Sequence, residues 1–375
     1  MAGRGTVSPG RHDLVGIGEA KAQPGLSAAT AVNASPALIC DGVWKVFGTD
    51  GLSVGRDFDL AGFSQNGASS NFVAAVQNVS LAVIRGEIFC IMGLSGSGKS
   101  TLVRCMASLL PITRGQLHVL DIDVSKATEA ELIDLRRTMI SMVFQDFALL
   151  PHLTVLQNIA FPLRVRGIDR VQREDAARKM CDLVGLSGRE GFYPHELSGG
   201  QQQRVGIARS LTTDPQIWFL DEPFSALDPL IRQDMQDELL RLQSILCKTI
   251  VFITHDFDEA IRLASRIAIM RDGRIVQIGR AEELVLNPAD DYVARFTAKV
   301  SFADVIRVGT VMRPGSCQAG DAPVPATALI RDVATRILDS GRAHPVADEH
   351  GEIVGSIDPS AVIDVLLRRL PVARW

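Results

Sequence analysis

The stretch that decides the fold is Gly93-Leu94-Ser95-Gly96-Ser97-Gly98-Lys99-Ser100-Thr101. It matches the pattern G-x-x-x-x-G-K-[ST], and it lies between a short apolar run, Ile88–Met92, and a segment with helical spacing. Glycines let the backbone curve closely around an anion, and the N–H groups of such a loop and of the next helix then point at phosphate oxygens. The predicted phosphate contacts are Gly93, Ser95, Gly96, Ser97, Gly98, Lys99, Ser100 and Thr101.

Two residues of this stretch have a more specific chemistry. We expect Lys99 to reach the β- and γ-phosphates of a nucleotide and the Ser100 hydroxyl to ligate Mg²⁺. An ordinary glycine- and serine-rich turn is the alternative, and the flanking strand and helix patterns disfavour it.

Two more apolar runs, residues 216–220 and 249–254, have the length of buried parallel strands. An amphipathic segment lies between them at residues 229–247, so strands and helices alternate. This alternation predicts an α/β fold with a parallel sheet. Residues 150–210 have mostly helical patterns, which predict a helical subdomain set into that core.

An acidic pair, Asp221 and Glu222, follows the first of these two runs. A carboxylate at the end of a buried strand is unfavourable unless something binds it. We expect Asp221 to meet Mg²⁺, often through water, and Glu222 to act as the general base or to orient the attacking water. The alternative is that the pair merely caps a helix.

A second potential anion-binding helix start lies at residues 197–205, where a hydroxyl and two glycines precede an amphipathic helix. One chain can use two such helix starts on one nucleotide only if two copies face each other. We therefore predict a homodimer in which one copy holds the nucleotide in its glycine-rich loop. The other copy would contact it through Ser198, Gly199, Gly200 and Gln201.

With these motifs, residues 38–300 resemble the ATPase subunit of an ABC transporter, and the pentapeptide at residues 197–201 is the most specific feature. The resemblance implies a P-loop NTPase core of the ABC type that binds ATP and Mg²⁺ and hydrolyses ATP. Gln145 resembles the glutamine that serves both the metal and the catalytic site, and Asp228 belongs to a D-loop-like motif. His255 resembles the switch histidine, although a lone histidine is more often structural.

The same resemblance implies an aromatic ring that stacks on adenine, before the glycine-rich loop. Phe47 is the first candidate and Trp44 the second. A phenyl ring offers a π face without the hydroxyl of tyrosine, which many relatives carry there.

Residues 225–231 and 287–293, with the glycine-rich loop, resemble the branch whose transporters import quaternary amines. This implies uptake of glycine betaine, choline or proline betaine through separate integral permease subunits, with an external substrate-binding protein. The subunit would lie peripherally on the cytoplasmic face of the inner membrane. An importer of another small solute and a soluble ABC-type ATPase without a transport role are the alternatives. Residues 147–155 are expected to present exposed apolar side chains to the permease.

The two ends of the chain differ from this core. Residues 1–37 are rich in Ala, Gly, Ser and Pro, and we expect a disordered tail. Residues 48–74 are expected to form an inserted loop. Residues 301–375 have an α/β pattern of their own and resemble one CBS motif, where the branch often has a tandem pair. A regulatory unit and a dimerisation appendage both fit this resemblance.

Composition excludes several other classes of protein. There are 39 Lys and Arg against 43 Asp and Glu, a net charge of -4, and aromatic residues make up 5%. Nucleic acid is therefore not a predicted partner, because duplex binding calls for a basic excess and single-strand binding for aromatic platforms. No apolar run approaches the roughly 18 residues that a membrane span needs.

Overall fold

The computed structural model describes residues 35–48, 72–225, 227–315 and 322–370. Most of the expected tail and most of the expected insert lie outside these residues. The last two residues of the expected tail, Pro36 and Ala37, belong to a strand, so order begins slightly earlier than predicted.

The strands are, in chain order, β1 (Pro36–Gly48), β2 (Phe72–Ile84), β3 (Ile88–Met92), β4 (Arg114–Val119), β5 (Ile122–Asp123), β6 (Ile140–Val143), β7 (Ile217–Asp221), β8 (Thr249–Thr254), β9 (Arg266–Arg271), β10 (Arg274–Gly279), β11 (Arg313–Pro314), β12 (Val324–Pro325), β13 (His344–Ala347) and β14 (Ile353–Ile357). The α-helices are α1 (Lys99–Met106), α2 (Glu129–Thr138), α3 (Val155–Val165), α4 (Arg170–Leu183), α5 (Gly199–Leu211), α6 (Pro229–Leu246), α7 (Phe257–Leu263), α8 (Ala281–Leu286), α9 (Asp291–Thr297), α10 (Val308–Val311), α11 (Ile330–Ser340) and α12 (Pro359–Leu366).

The central sheet has the strand order β10-β9-β3-β8-β7-β6, and its strands are parallel except β10. β3, β7 and β8 are buried along their whole length, because both faces of the sheet are covered. Side chains alternate between the two faces: Phe89 and Ile91 face one apolar cluster, whereas Cys90 and Met92 face the other. The predicted α/β class with a parallel sheet is confirmed.

A second, antiparallel sheet, β2-β1-β4-β5, covers one side of the central sheet. α1 packs against β1, β2, β7 and β8, so it lies between the two sheets. This position fixes the start of α1 directly after β3. The segment with helical spacing after the glycine-rich loop runs from Lys99 to Leu110 in the sequence, but the helix ends at Met106, and Ser108 has a left-handed φ of 56°.

The helices predicted within residues 150–210 are α3, α4 and α5, which pack against one another. Side chains define where each of them begins. Thr154 and Ser198 start capping boxes with Gln157 and Gln201, and Asp169 accepts from the first turn of α4. The polar N-caps therefore set these helix boundaries, which apolar periodicity alone leaves vague.

The C-terminal unit is a small sheet of order β11-β14-β13-β12 with α11 and α12 packed together. Its core is continuous with that of the preceding residues, since Val300, Phe302 and Ile306 belong to the same apolar cluster as β3 and β8. Arg368 donates to the carbonyl oxygens of Ala298 and Val300, at 2.5 Å each. The division of the chain at residue 300 stays a prediction, and side chains on both sides of it pack together.

Among the described residues, no helix has both the length and the apolar character needed to cross a bilayer.

A glycine in β4 permits the close pairing of β1 and β4. Gly115 has a φ of +96°, and a Cβ there would lie 2.3 Å from the carbonyl oxygen of Gly42, beside the register shift in β1. We expect Gly115→Ala to lower the free energy of unfolding by roughly 2–4 kcal/mol, from left-handed strain and a backbone collision together. Chemical denaturation monitored by circular dichroism measures this change.

Gly188→Ala is the matched control, because Gly188 also has a left-handed φ of +82° but nothing within 4 Å of a Cβ. It should lower the free energy of unfolding by about 1 kcal/mol, from strain alone. Equal losses in the two variants would show that the collision with Gly42 contributes nothing.

Candidate functional site

The glycine-rich loop after β3 has a shape that other residues would prevent. A Cβ on Gly93 would lie 2.2 Å from the carbonyl oxygen of Met270, and a Cβ on Gly98 would lie 2.1 Å from that of Ala75. Gly98 also has a φ of +98° and is the N-cap residue of α1. The loop is thus held between β9 and β2 with its N–H groups at the start of a helix, a geometry suited to a phosphate group.

Lys99 lies inside the curve of this loop. Its Nζ donates to the carbonyl oxygens of Gly93 at 2.8 Å and Leu94 at 3.1 Å. Burial lowers the pKa of the Lys99 ammonium, and the nearby carboxylates of Glu222 and Asp221 oppose that shift. The arrangement places one buried positive charge where the loop would hold an anion.

Asp221 ends β7 beside the start of α1. Its Oδ1 accepts from the Ser100 hydroxyl at 3.2 Å, and its Oδ2 lies 3.7 Å from the Arg104 guanidinium. Burial raises the pKa of the Asp221 carboxyl, which Arg104 and Ser100 oppose and Glu222 reinforces. Two oxygen donors, a hydroxyl and a carboxylate, therefore meet at one point, and this is the donor type that Mg²⁺ prefers.

Glu222 and His255 also meet. Nδ1 of His255 lies 3.2 Å from Oε2 of Glu222, and the two residues follow neighbouring parallel strands. An ionised carboxylate only accepts hydrogen bonds, so Nδ1 is the donor and Nε2 of a neutral ring is left as an acceptor. Glu222 has a left-handed φ of 44°, and its N–H donates to the carbonyl oxygen of Ile253. The backbone is thus strained at this carboxylate, as it often is at functional sites.

These groups converge because the carboxyl ends of parallel strands meet at one edge of a sheet. Across that edge β3 is followed by β8, β7 and β6. Lys99 follows β3, His255 follows β8, and Asp221 and Glu222 end β7. Gln145 lies two residues beyond β6, exposed in a turn, so it projects from the same edge.

Other predicted site residues lie in other layers. Ser198, Gly199, Gly200 and Gln201 form the first turn of α5, which packs against α3, α4, α6 and β6. The Ser198 hydroxyl and the Gln201 side chain are used for the capping box. Asp228 caps α6 by accepting from the N–H of Ile231 at 3.1 Å. Ala226 of the D-loop-like motif lies outside the described residues.

The two candidate aromatic residues lie on β1. Phe47 is opposite Val73 of β2, two residues before Ala75, which contacts Gly98 of the loop. Trp44 is opposite Arg114 of β4. Phe47 is therefore paired with β2, the strand that contacts the glycine-rich loop. Trp44 is paired with β4, the other neighbour of β1.

Sequence reasoning missed several residues that position the site. Gln203, fully buried, donates to the carbonyl oxygen of Pro223 at 2.7 Å and so ties α5 to the segment after Glu222. The Thr254 hydroxyl donates to Glu259 at 2.6 Å, beside His255. Arg104 is the partner of Asp221. Helical spacing gives the only sequence signal, since Arg104 lies four residues beyond Ser100.

The expectation of exposed apolar side chains at residues 147–155 is wrong in part. Phe147 and Val155 are buried in the core, where they hold the segment in place. Leu150 lines a groove of about 420 Å³ that runs along the segment and is mostly apolar. Its other lining residues are Ala107, Leu109, Arg136, Arg137, Ile140, Ser141, Met142, Phe144, Ala148, Phe161, Pro162, Val165, Arg209, Ser210 and Thr213.

Comparison with known proteins gives the site a context. The family profile described as ABC transporter matches residues 76–225, from β2 through the glycine-rich loop to Ser225. The chain is 51% identical over 341 residues to the trimethylamine N-oxide transport system ATP-binding protein TmoW of Ruegeria pomeroyi. That alignment covers 89% of this chain and 98% of TmoW. It is also 51% identical over 238 residues to the glycine betaine/proline betaine transport system ATP-binding protein ProV of Escherichia coli. That alignment covers 64% of this chain and 60% of ProV.

A solved structure is also similar. The dimeric post-hydrolysis state of the ATP-binding cassette MJ0796, bound to ADP and phosphate, is 31% identical and has a TM-score of 0.55. It covers 65% of this chain and 98% of the cassette.

Asp221 should lower the stability of the nucleotide-free protein. Its folded pKa is raised, so the fold favours the protonated carboxyl. The stability that this brings is complete below the unfolded pKa and is lost as the pH rises through the folded pKa. At neutral pH, Asp221→Asn should raise the melting temperature by roughly 1–2 °C, the equivalent of about 1 kcal/mol in a chain of this size. The gain should shrink as the pH falls toward about 3.9, the ordinary pKa of the group.

Thermal unfolding without nucleotide or metal, at several pH values, measures this effect. Asp169→Asn is the control, because Asp169 is an exposed N-cap and Asn caps a helix as well as Asp does. A lower melting temperature for Asp221→Asn at pH 7 would mean that the contacts with Ser100 and Arg104 outweigh the burial of the charge.

Proposed function

Because the chain belongs to the ABC transporter family of ATP-binding subunits, we propose that it powers the uptake of a small methylated amine, first of all trimethylamine N-oxide. The family and the branch are those that the motifs indicated, and the subunit is an ATPase of an importer for substrates of the betaine, choline and trimethylamine N-oxide type. The individual solute is the part that is proposed.

The choice of trimethylamine N-oxide rests on the share of each relative's length that this chain matches. The trimethylamine N-oxide subunits of Ruegeria pomeroyi and Pelagibacter ubique are matched over 98% of their length, at 51% and 49% identity. The glycine betaine subunit ProV is matched over 60% of its length. The match to these subunits covers 89% of this chain, more than residues 1–300 could supply, and this favours the trimethylamine N-oxide system over the glycine betaine, choline and proline betaine systems that the motifs alone suggested.

We propose that ATP binds with its phosphates in the loop of residues 93–98, at the start of α1. Lys99 neutralises the β- and γ-phosphates, and Phe47 offers its ring to the adenine. The conformation of the loop supports this assignment, since its packing against β9 and β2 tolerates no Cβ at Gly93 or Gly98 and holds its N–H groups at the start of α1. Ser100, Asp221 and Gln145 are the proposed Mg²⁺ ligands, and the ion would neutralise charge on the phosphate oxygens.

For hydrolysis, Glu222 is proposed to orient the attacking water or to accept its proton, because its carboxylate lies at the same edge as Lys99. The bond from His255 Nδ1 would hold the Glu222 side chain, and Nε2 of a neutral ring could then accept a hydrogen bond from the attacking water. Catalysis of this kind consists mainly of positioning and charge stabilisation.

We propose that the site is completed by a second copy of the chain. α1 packs between the two sheets while α5 packs among helices, so the two helix starts belong to different layers. Ser198, Gly199, Gly200 and Gln201 of one copy would meet the nucleotide of the other, with Asp228 near the contact. The similar cassette MJ0796 was solved as a dimer.

The proposed membrane partner is an integral permease, which with an external binding protein would select the solute. The groove lined by Leu150, Phe161 and Val165 is open and mostly apolar, and it could receive a few apolar side chains from a short helix of such a partner. The subunit would then lie on the cytoplasmic face of the inner membrane as a peripheral protein. Residues 301–375 are proposed to be a CBS-like regulatory or dimerisation domain beside the ATPase domain of residues 38–300.

Glu222→Gln should keep ATP binding and lower turnover. The amide preserves the size of the side chain but is a poor base, so kcat should fall by about 10²–10⁴-fold. Nucleotide titration and steady-state ATPase assays on the assembled complex measure the two effects.

Glu129→Gln is the matched control, because Glu129 lies in the first turn of α2, paired with Arg136, and its side chain is 73% exposed. Its turnover should stay at the wild-type level. Wild-type turnover in Glu222→Gln would remove Glu222 from the mechanism.

Uptake of labelled solutes into vesicles tests the proposed function itself. The subunit, its permease and its binding protein are reconstituted, and trimethylamine N-oxide, glycine betaine and choline are compared with and without ATP inside. We expect ATP-dependent uptake that is fastest for trimethylamine N-oxide. Faster uptake of glycine betaine or choline would overturn the choice of solute, and uptake of none of the three would overturn the methylated-amine assignment.

A further inference from the structure

We infer that Arg209 is a positioning residue that latches the loop carrying Gln145 to α5, an inference that rests on the proposed function. Arg209 lies in the last turn of α5, at the opposite end from Ser198. One helix would thus connect the contact to the partner's nucleotide with the loop that contributes Gln145.

The latch is a pair of hydrogen bonds from one guanidinium. Its two terminal nitrogens donate to the carbonyl oxygen of Ala148 at 2.7 Å and to that of Phe147 at 2.6 Å. The planar fork of arginine suits two adjacent acceptors, and a lysine cannot reproduce this geometry. The acceptors belong to successive residues of the segment that follows Gln145.

The segment that Arg209 holds is strained. Phe147 and Ala148 have left-handed φ values of 58° and 45°, and neither residue is glycine. Residues other than glycine in this region cost about 1–2 kcal/mol each, and such residues usually occur singly. Strain of this kind persists only where the surroundings enforce it. Phe147 is anchored by its buried side chain, whereas Ala148 is exposed, so the bond from Arg209 constrains the Ala148 end.

The strained pair controls the direction of Gln145. The N–H of Phe147 donates to the carbonyl oxygen of Phe144 at 3.0 Å and closes a turn whose central residues are Gln145 and Asp146. Release of the left-handed pair would therefore reorient the turn. Gln145 is therefore connected along the chain to β6 of the sheet, and through the carbonyls of Phe147 and Ala148 to Arg209 of the helical layer.

The latch also lies in the groove proposed for the permease. Arg209, Ala148 and Phe144 all line it. A helix seated there would press on the strained carbonyls and on the guanidinium that holds them. α5 spans about 20 Å from its first to its last turn. Because the helix moves as one unit, a shift of Arg209 at the groove would also move Ser198.

Arg209→Met and Arg209→Lys remove the fork and test this inference. In the reconstituted complex, kcat of the permease-stimulated ATPase should fall by roughly tenfold or more, because at least one of the two charge-assisted hydrogen bonds is lost in each variant. The affinity of the isolated subunit for ATP, measured without Mg²⁺, should change by less than about twofold, because Arg209 does not touch the nucleotide loop and Gln145 is proposed to act through Mg²⁺. Thermal unfolding of each variant checks that it is folded.

Rescue by glycine separates positioning from packing. Glycine adopts left-handed φ values without strain, so Ala148→Gly weakens the need for the latch. We expect the double variant Arg209→Met with Ala148→Gly to regain most of the lost kcat. A loss caused by poorer packing of α5 would be the same in both backgrounds.

Arg173→Met is the matched control, since Arg173 also donates to a backbone carbonyl in the helical layer, that of Ile168 at 3.1 Å. Its stimulated rate should stay within about twofold of wild type. If the wild-type complex is active and Arg209→Met has the same stimulated rate, the inference is wrong and the proposed function is unaffected. The same holds if Ala148→Gly does not restore the rate of Arg209→Met. A wild-type complex without ATPase activity overturns the proposed function as well as the inference.

Discussion

Parallel pairing of β3, β8, β7 and β6 is the constraint on which the rest of the site depends. It brings residues that are 121 positions apart, Ser100 and Asp221, to within 3.2 Å. It also sets Glu222 beside His255, because β7 and β8 are neighbours. The carboxyl ends of these strands form one edge, and all the charged groups proposed for hydrolysis project from it. A different strand order would separate them even if every motif were intact.

The chemistry at this edge opposes stability. Lys99 and Asp221 are buried charged groups whose pKa values burial shifts toward the neutral forms. Glu222, Phe147 and Ala148 have left-handed backbones without being glycine. Backbone strain persists only where the surroundings enforce it. The N–H of Glu222 is bonded to Ile253 of β8, and the carbonyls of Phe147 and Ala148 are bonded to Arg209. The buried core of the sheet therefore supplies the stability that the charged and strained groups at its edge reduce.

The helical layer connects that edge to two proposed partners. α5 begins with the residues that would meet a second copy and ends at Arg209, whose guanidinium holds the strained carbonyls beside Gln145. Gln203 of the same helix holds the carbonyl of Pro223, next to Glu222. A rigid helix bonded to both loops makes their positions depend on each other. The C-terminal unit shares the apolar core of the ATPase region, and Arg368 bonds to the end of the segment after α9, so this unit is packed closely against the ATPase region.

Local signals in the sequence determined the class of fold, the limits of β3 and β8, and the residues proposed to hold ATP. The reason is that a glycine-rich loop between strand and helix, a buried apolar run and a capping Ser198 each act over a few residues. Only the tertiary structure decided the strand order, the pairing of Glu222 with His255, the burial of Phe147 and the latch from Arg209. These depend on contacts between segments far apart in the chain, which packing selects and local spacing does not encode. Residue 300 illustrates the difference: the change of pattern there is visible in the sequence, whereas the apolar core that runs across it is visible only in the folded chain.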